Sequence, residues 1–491
     1  MQNPFAPGPG DKVVRRPRQS EMSPIRTRVE RRAVSVRGPT SPMMLVYSFF
    51  AVAAVGALLL SLPISSTESE FTSPIGSFFT SASAMTGTGL IVVDTREAWT
   101  GFGQAVIAAL IFIGGLGFMT GAAFLLFITG RRSSLQGRLV VGAGLDDNRL
   151  GTIATLARNI ILMAIVIQII GAIVIFVSWY LVDPLWPGMT LGEGLWQSVF
   201  TAISAFNNSG FEILPDELGE GARLIGGASL MGLSSDVPSL LIIGLMILAG
   251  STSYVVLANM VVIRGWHRLT LDTKLVLLGI GVMLLIGFVA FMTLEWTNPG
   301  TIGNDPVTSK LTQGVFHTVN RTAGFSTIEY SELRSANLTV TEGMMFVGGA
   351  SASTAGGIKV STFMVIVITS FAVFSGRGRT TVFGREIPRV NVQRALAVAA
   401  TAAAAVLLLV ITLFVVQPEL DFRAGIFEIV SAFGTVGWSA GATSSLNQPA
   451  QVVVAITMFV GRFGPLTIAL FMAGRERQDL IRFATERIRI G

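Results

Sequence analysis

The stretch RTAGFST, residues 321–327, is a short polar segment that lies between a polar region and a long apolar one. Three similar stretches occur elsewhere: SAMTGTGL ends at Leu90, SAFNNSGF ends at Phe211, and SAFGTVGWS begins at Ser431. Each contains a glycine followed by a bulky residue. Regular spacing of such stretches predicts repeated structural units. The spacings are 121, 114 and 113 residues, between Gly89, Gly210, Gly324 and Gly437.

The composition is that of a membrane protein. Of the 491 residues, 51% are hydrophobic and 13% are charged, with a mean hydropathy of +0.66, whereas soluble domains carry about 25% charged residues. Because lipid offers no hydrogen-bond partners to an exposed backbone, long apolar runs are expected to be helical. Eight blocks are long enough to cross a bilayer of ~30 Å: residues 43–64, 103–130, 157–181, 239–263, 274–296, 341–374, 393–416 and 449–473.

Each glycine-bearing stretch lies between the two apolar blocks of a pair. A moderately apolar segment precedes it that is too short to span a bilayer and is predicted to be a re-entrant half-helix: 71–85, 192–206, 307–320 and 423–434. The predicted fold class is an all-α polytopic membrane protein with four pseudo-repeated span–pore-helix–loop–span units around one central pore. The predicted divisions are a basic, disordered cytoplasmic arm and four repeats, the last with a cytoplasmic tail: residues 1–42, 43–140, 141–265, 266–390 and 391–491.

The charge distribution predicts the orientation in the membrane. Lys and Arg concentrate on the cytoplasmic side of membrane proteins. Here 27 of the 35 Lys/Arg residues, but only 10 of the 29 Asp/Glu residues, fall in five segments that would share one side: 1–42, 131–158, 264–274, 375–394 and 474–491. Both termini are therefore expected to be cytoplasmic. The acidic outer face would attract cations, although orientation alone also explains its composition.

The four glycine loops have the composition of a cation filter. Four such loops on one axis would point main-chain carbonyls inward and replace the water around a dehydrated cation, as in potassium filters. Non-helical backbone at membrane depth is tolerated where it lines a water-filled cavity. A single loop of this kind would be an ordinary glycine turn, but four equivalent loops favour a filter. The candidate filter residues are Gly87, Thr88, Gly89, Asn208, Ser209, Gly210, Thr322, Ala323, Gly324, Thr435, Val436 and Gly437.

The loops resemble the four filter loops of the Trk/Ktr/HKT superfamily of cation transporters, and the resemblance extends from residue 43 to the end of the chain. It is greatest to the membrane subunits of bacterial Ktr potassium uptake systems, with the Trk branch as close kin. The resemblance implies that the four glycines form the filter core and that K+ is the transported ion. Members that prefer sodium tend to carry Ser at the first of these positions, which here is Gly89. The stretch AGSTSYVVLANM, residues 249–260, departs from the pattern because it lacks the glycine-rich run of IGGLGFMTG, residues 113–121.

A second polar stretch, GGASASTAGGIKVSTF at residues 348–363, interrupts the sixth apolar block. Four glycines and six Ser, Ala or Thr residues at 348–357 weaken helix continuity. The stretch resembles the intramembrane loop that obstructs the pore in the same superfamily, although close helix packing through small residues is the alternative. The candidate gating residues here are Gly348, Gly349, Ser351, Ser353, Thr354, Gly356, Gly357 and Lys359.

Arg462 is the second candidate gating element, in the apolar stretch FVGRFGP. An Arg within an apolar span costs roughly 2.5–3.5 kcal/mol, so it is expected to face a cavity or a partner. The resemblance places it below the filter, where it would repel cations or hold the carbonyls of the loop. The alternative is an arginine that reaches the interface or pairs with an acid. Lys359 is either part of the gate or extends to the cytoplasmic boundary.

The residues that are missing also restrict the function. The chain has no Cys and two His, so disulfides and Cys- or His-rich metal sites are excluded, and no catalytic Ser/His or Cys/His constellation indicates an enzyme. No Rossmann glycine motif follows a strand, so the resemblance implies a separate cytosolic nucleotide-binding ring subunit of the KtrA/TrkA kind. It also implies a homodimer in the bacterial cell membrane.

The function expected is a K+-conducting subunit of a bacterial K+ uptake system. A sodium-preferring or sodium-coupled carrier on the same scaffold is the alternative. We expect no organic cofactor in the chain and no nucleic acid partner. Membrane lipid is an expected partner and Na+ is a candidate activator.

Overall fold

The computed structural model describes residues 42–129, 149–182, 184–215, 229–263 and 265–473. Within these ranges the fold consists of fifteen α-helices and one short β-hairpin. The helices are α1 Pro42–Ser61, α2 Pro74–Thr86, α3 Thr95–Ala98, α4 Gly101–Thr129, α5 Arg149–Phe176, α6 Leu191–Phe206, α7 Val237–Ser251, α8 Tyr254–Val262, α9 Leu271–Glu295, α10 Val307–Val319, α11 Ser335–Phe346, α12 Val360–Phe374, α13 Arg389–Val416, α14 Phe422–Gly434 and α15 Gln448–Ala473. The all-α fold class is confirmed.

The four predicted half-helices are present as α2, α6, α10 and α14, within three residues of the predicted ends. Three of them have 13 residues and α6 has 16, which gives lengths of roughly 20–24 Å. Their starts are fixed locally. Thr190 and Glu193 form a capping box at α6, and the carboxylate of Asp421 accepts hydrogen bonds from the first backbone N–H groups of α14.

Helices occupy all eight of the predicted apolar blocks. Four described segments are long and apolar enough to cross a membrane: Gly101–Thr120, Ala157–Val182, Leu271–Glu295 and Arg389–Val416. The last turns of the second of these, Val177–Val182, are π-helical. The bent pair α7 and α8 would form a fifth span, and α1 and α12 contribute shorter apolar helices.

The prediction of one continuous helix over residues 239–263 is wrong. α7 and α8 are bent by 100° at a short break. The carbonyl oxygens of Gly250 and Ser251, at the end of α7, accept hydrogen bonds from the N–H groups of Thr354 (3.1 Å) and Ala350 (2.9 Å). These acceptors are available because the helix stops there. Hydropathy did not reveal the break, since the sequence is apolar on both sides of it.

The block at residues 341–374 is interrupted, as predicted from its composition. α11 ends at Phe346 and α12 begins at Val360. Residues 348–359 between them are the intramembrane loop, and of these only Ser351 and Lys359 are not fully buried.

The four repeats close into a ring. Each half-helix packs against the second long helix of the repeat before it: α6 on α4, α10 on α7, α14 on α11, and α2 on α15. The last of these contacts joins the fourth repeat to the first. The fold therefore consists of four equivalent units around one central axis, with the half-helices on the inside.

A hairpin of two short strands, β1 Thr381–Val382 and β2 Arg385–Glu386, lies between α12 and α13. The predicted arm, apart from Pro42, and the tail 474–491 lie outside the described residues, as does the predicted repeat boundary at 140/141. The repeat boundaries therefore stay predictions.

Candidate functional site

The glycine loops, residues 87–89, 208–210, 322–324 and 435–437, contact one another around a closed ring. The Cα of the last glycine in each loop faces the main-chain carbonyl oxygen of the residue that precedes the corresponding glycine of the next loop. The approach is so close that a Cβ atom on the glycine would collide with that oxygen. In ring order the contacts are Gly89 to Ser209, Gly210 to Ala323, Gly324 to Val436, and Gly437 to Thr88.

The backbone of these loops requires unusual angles. The four glycines have φ values of +88°, +77°, +71° and +100°, a region that other residues rarely adopt. In three loops the residue two positions earlier also has positive φ: Gly87 at +64°, Asn208 at +55° and Thr435 at +48°. Thr322, the equivalent residue of the third loop, does not. The ring is therefore similar in all four repeats but not identical.

The glycines are the accessible positions of the ring. All four are partly exposed, whereas the residues before and after each of them are buried. The bulky residues that follow the glycines are at most 3% exposed and anchor the loops among the surrounding helices: Leu90, Phe211, Phe325 and Trp438.

Hydroxyl groups of the half-helices support two of the loops, and sequence reasoning missed them. The N–H of Gly89 donates to Oγ of Ser83 (3.0 Å), and the N–H of Gly437 donates to Oγ of Ser431 (3.1 Å). The signal was available, because a hydroxyl residue stands six positions before every one of the four glycines: Ser83, Ser204, Thr318 and Ser431.

The third glycine loop is supported by a buried polar network. His317 lies between the hydroxyl of Tyr330 (Nδ1–Oη 2.9 Å) and that of Thr327 (Nε2–Oγ1 2.8 Å). The indole N–H of Trp438 donates to the carbonyl oxygen of Phe325 (2.7 Å), and its ring stacks on Tyr330 with centroids 4.4 Å apart. These side chains link the third loop to the fourth. The sequence indicated only that two His are too few for a His-rich metal site.

The intramembrane loop is held together by its own backbone. The N–H of Gly348 donates to the carbonyl of Ile358 (2.8 Å), and the N–H of Ile358 donates to the carbonyl of Phe346 (3.1 Å). Gly349 packs so closely on Ser251 that a Cβ would lie 2.6 Å from its carbonyl oxygen. The loop therefore has a defined structure and packs against the C-terminal end of α7.

The same loop contacts two of the glycine loops. The hydroxyl of Thr354 donates to Oδ1 of Asn208 (2.7 Å), and the N–H of Gly356 donates to Oγ1 of Thr435 (3.0 Å). Asn208 and Thr435 are the first residues of the second and fourth glycine loops. The candidate filter and candidate gating residues are thus in direct contact.

Arg462 contacts the middle of the intramembrane loop. It is 1% exposed, and its Nη1 donates to the carbonyl oxygen of Thr354. Its guanidinium carbon lies 4.7 Å from the centre of the Phe118 ring, and a Cβ on Gly87 would lie 3.9 Å from its nitrogens. Of the readings that the sequence left open, the contact with a loop carbonyl is the one observed, and among the described residues no carboxylate lies within ion-pair distance of Arg462.

The side chain of Lys359, the last residue of the intramembrane loop, also contacts a carbonyl of that loop. Its Nζ donates to the carbonyl oxygen of Ala355 (2.6 Å) and lies 5.4 Å from the centre of the Phe118 ring. The hydroxyl of Ser351 pairs with that of Ser361 (3.3 Å). Ser353 is fully buried, and Gly357 has φ +66°.

A second buried arginine, Arg321, holds the start of the loop, and the sequence pattern assigned it no role. It is 4% exposed. Its Nη1 donates to the carbonyl oxygen of Val347, and the guanidinium also reaches the carbonyls of Met344 (3.4 Å) and Gly348 (3.5 Å). An arginine directly before the third glycine loop, in a segment predicted to lie at membrane depth, was the signal that could have revealed it.

The described residues contain no group of three or more His, Cys, Asp or Glu that could hold a metal ion by side chains. The ring itself contains the main-chain carbonyl oxygens of Thr88, Ser209, Ala323 and Val436.

Comparison with known proteins agrees with this architecture. The profile of the TrkH family, described as cation transport protein, matches residues 26–481. The chain belongs to the TrkH family. This membership confirms the resemblance drawn from the glycine loops. Proteins of the TrkH family are membrane ion transporters, so the chain is a multi-pass membrane transporter and not an enzyme.

Individual TrkH-family proteins are similar over almost the whole chain. Ktr system potassium uptake protein B of Bacillus subtilis (strain 168) is 37% identical over 90% of this chain and 95% of its own length. Potassium/sodium uptake protein NtpJ of Enterococcus hirae is 32% identical over 93% of this chain and 98% of its own length. The crystal structure of the potassium transporter TrkH from Vibrio parahaemolyticus has the same fold, with a TM-score of 0.67 at 17% identity over 90% of this chain and 85% of that one.

Proposed function

We propose that the chain is the K+-conducting subunit of a bacterial potassium uptake system. The observation that carries the proposal is the closed ring of glycine–carbonyl contacts between the four glycine loops. In this ring, one polypeptide supplies four equivalent sets of main-chain oxygens next to the four partly exposed glycines. Carbonyl oxygens of this kind replace the hydration shell of K+ in selective filters.

The glycines set the width of this ring. Any side chain on Gly89 would push against the carbonyl of Ser209 and displace the second glycine loop. The names of two TrkH-family relatives, a potassium uptake protein and a potassium transporter, also favour potassium as the cargo.

The intramembrane loop is proposed to be the gate. It is buried against the first residues of two glycine loops. Arg462 and Lys359 donate hydrogen bonds to the carbonyl oxygens of Thr354 and Ala355 in this loop. Opening requires these hydrogen bonds to break. The positive charge of Arg462, 3.9 Å from a Cβ position on Gly87, would also repel a cation that leaves the ring.

The alternative is a carrier that prefers or couples to sodium. The observation that favours it is the similarity to NtpJ, whose name includes both potassium and sodium uptake. The presence of glycine at position 89 favours potassium. Fluxes of K+ and Na+ measured in parallel decide between the two, because preferential Na+ flux supports only the carrier.

The assembly proposed is a homodimer in the cell membrane, with a separate cytosolic nucleotide-binding ring on the cytoplasmic side. Basic residues in the hairpin region support a cytoplasmic docking face, since five Lys/Arg and one Asp/Glu occur at residues 375–394. Both termini are proposed to lie on that side. Na+ is proposed as an activator in addition to its role in the alternative function.

The test is K+ uptake in a bacterial host that lacks its own uptake systems. Gly89→Ala and Gly324→Ala each place a methyl group against a carbonyl of the next glycine loop, so both variants are expected to lose uptake. Gly343→Ala is the matched control, because no atom lies within 4 Å of its Cβ position. Unchanged uptake in the two loop variants would defeat the proposal.

A further inference from the structure

The side-chain amide of Asn208 lies between a neighbouring glycine loop and the intramembrane loop. Its Nδ2 donates to Oγ1 of Thr322 in the third glycine loop (2.8 Å). Its Oδ1 accepts from Oγ1 of Thr354 in the intramembrane loop (2.7 Å). Asn208 and Thr354 are fully buried and Thr322 is 2% exposed. One amide therefore connects two glycine loops to the intramembrane loop.

The amide has little freedom to leave this position. Asn208 has φ +55°, a left-handed conformation that Asn tolerates better than most residues. On the side of α7, a Cβ on Gly250 would lie only 2.5 Å from Oδ1 of Asn208. The backbone angle and the close contact with α7 together direct the amide toward Thr322 and Thr354.

Thr354 is fixed from three directions. Its N–H donates to the carbonyl of Gly250 (3.1 Å), its carbonyl accepts from Arg462, and its hydroxyl donates to Asn208. The hydroxyl also lies 3.3 Å from the carbonyl of Phe206, but its one proton is better placed for the shorter contact. Movement of the intramembrane loop therefore removes the hydroxyl from Asn208.

We propose that Asn208 is a positioning residue that couples ion discrimination in the ring to the position of the intramembrane loop. The inference rests on the proposed function, in which the glycine loops select the ion and the intramembrane loop opens. When Thr354 leaves, Oδ1 of Asn208 becomes an unpaired buried acceptor, which is unfavourable. The amide must then turn or take up water, and either change alters its bond to Thr322 and the contact between the second and third glycine loops.

This role is specific to the second repeat. Thr435, the equivalent residue of the fourth repeat, accepts from Gly356 of the intramembrane loop. The first residues of the four glycine loops all lie in the described part of the chain, and among them only Asn208 has a side chain that bonds both another glycine loop and the intramembrane loop. By linkage, the coupling is reciprocal, so ring occupancy also biases the position of the intramembrane loop.

The test is the K+ to Na+ flux ratio of the purified full chain in proteoliposomes, without a cytosolic partner. Thr354→Val removes the hydroxyl at nearly constant side-chain shape. Because Thr354 lies outside the glycine loops, a change in the flux ratio would have to reach the ring through Asn208. The flux ratio is expected to fall about two- to tenfold, the effect of one neutral hydrogen bond. Thr354→Ser keeps a hydroxyl and should restore the ratio. Thr457→Val is the matched control, since Thr457 is a buried threonine whose hydroxyl donates to Val453 of its own helix (2.8 Å).

A second variant approaches the amide from the other side. Thr322→Val removes the acceptor of the amide Nδ2 in the third glycine loop and should lower the ratio as well. The double variant Asn208→Ala/Thr354→Val should have no larger effect than Asn208→Ala alone, because both changes remove one shared bond. If K+ flows through the parent chain but the ratio is unchanged in Thr354→Val and Thr322→Val, the coupling is wrong. Absence of K+ flux in the parent chain and also in Arg462→Gln, which loses the bond that holds the loop closed, would instead contradict the proposed function.

Discussion

The guanidinium of Arg462, in α15, donates a hydrogen bond to the main-chain carbonyl of Thr354, which belongs to the intramembrane loop of the preceding repeat. The remaining charge faces the ring of Phe118, 4.7 Å away. A charge-assisted bond of this kind contributes about 1.5–3 kcal/mol. The fourth repeat thus holds the intramembrane loop against the glycine loops, which is the closed position in the proposed function.

Arg462→Gln is expected to raise K+ flux through the purified chain in the absence of its cytosolic partner. Loss of the charge-assisted bond should shift the closed–open equilibrium by about 10- to 100-fold. Arg462→Lys keeps a charge and a donor, so its flux should lie between those of Arg462→Gln and the parent. The measurement is tracer uptake into proteoliposomes.

The control for this experiment is Arg377→Gln, which removes an exposed arginine after α12 and should leave the flux unchanged. A closed-state flux in Arg462→Gln equal to that of the parent would show that Arg462 does not hold the loop.

Arg321→Met is expected to loosen the start of the intramembrane loop. The substitution keeps most of the side-chain length and removes the donors that bind the carbonyls of Val347 and Gly348. Amide hydrogen exchange at residues 347–349 should accelerate by about 10-fold or more, because one charge-assisted bond no longer opposes local opening. Exchange measured by mass spectrometry checks this.

Arg334→Met serves as the comparison, since Arg334 is exposed and donates to Oγ1 of Thr297 (3.0 Å) at the surface. Equal exchange at 347–349 in both variants would mean that Arg321 is not the anchor.

Trp438→Phe is expected to weaken ion discrimination without abolishing transport. The change removes the indole N–H that donates to the carbonyl of Phe325, directly after Gly324. The ring keeps its stacking position on Tyr330. One neutral hydrogen bond contributes about 0.5–1.5 kcal/mol, so the K+ to Na+ flux ratio should fall by about two- to tenfold. Trp296→Phe, at a tryptophan that is 38% exposed, should keep the parent ratio; an equal ratio in all three proteins would contradict the prediction.

The sequence predicted the repeated architecture well because the repeat carries its own signals. Glycine spacing, apolar blocks and short half-helices are properties of local sequence, and each recurs four times. The prediction that the four glycine loops meet needed only the assumption that equivalent units surround one axis.

The sequence was less informative where one repeat departs from the others. The break after Ser251 depends on donors supplied by a loop about 100 residues later in the chain, which no local pattern reveals. The same is true of Arg321. Only the tertiary fold places the carbonyls of Val347 and Gly348 beside its guanidinium.

The orientation in the membrane gives the last prediction. Five Lys/Arg and one Asp/Glu at residues 375–394 predict that the hairpin lies on the cytoplasmic side. Ser331, after the third glycine loop, should then face outward. Because the chain has no cysteine, Ser331→Cys and Ser375→Cys each introduce a single thiol, and both positions are exposed. A membrane-impermeant thiol reagent on intact cells should label Ser331→Cys and leave Ser375→Cys unlabelled, whereas permeabilised cells should give labelling of both. The reverse pattern in intact cells would invert the orientation and place the basic hairpin out of reach of any cytosolic partner.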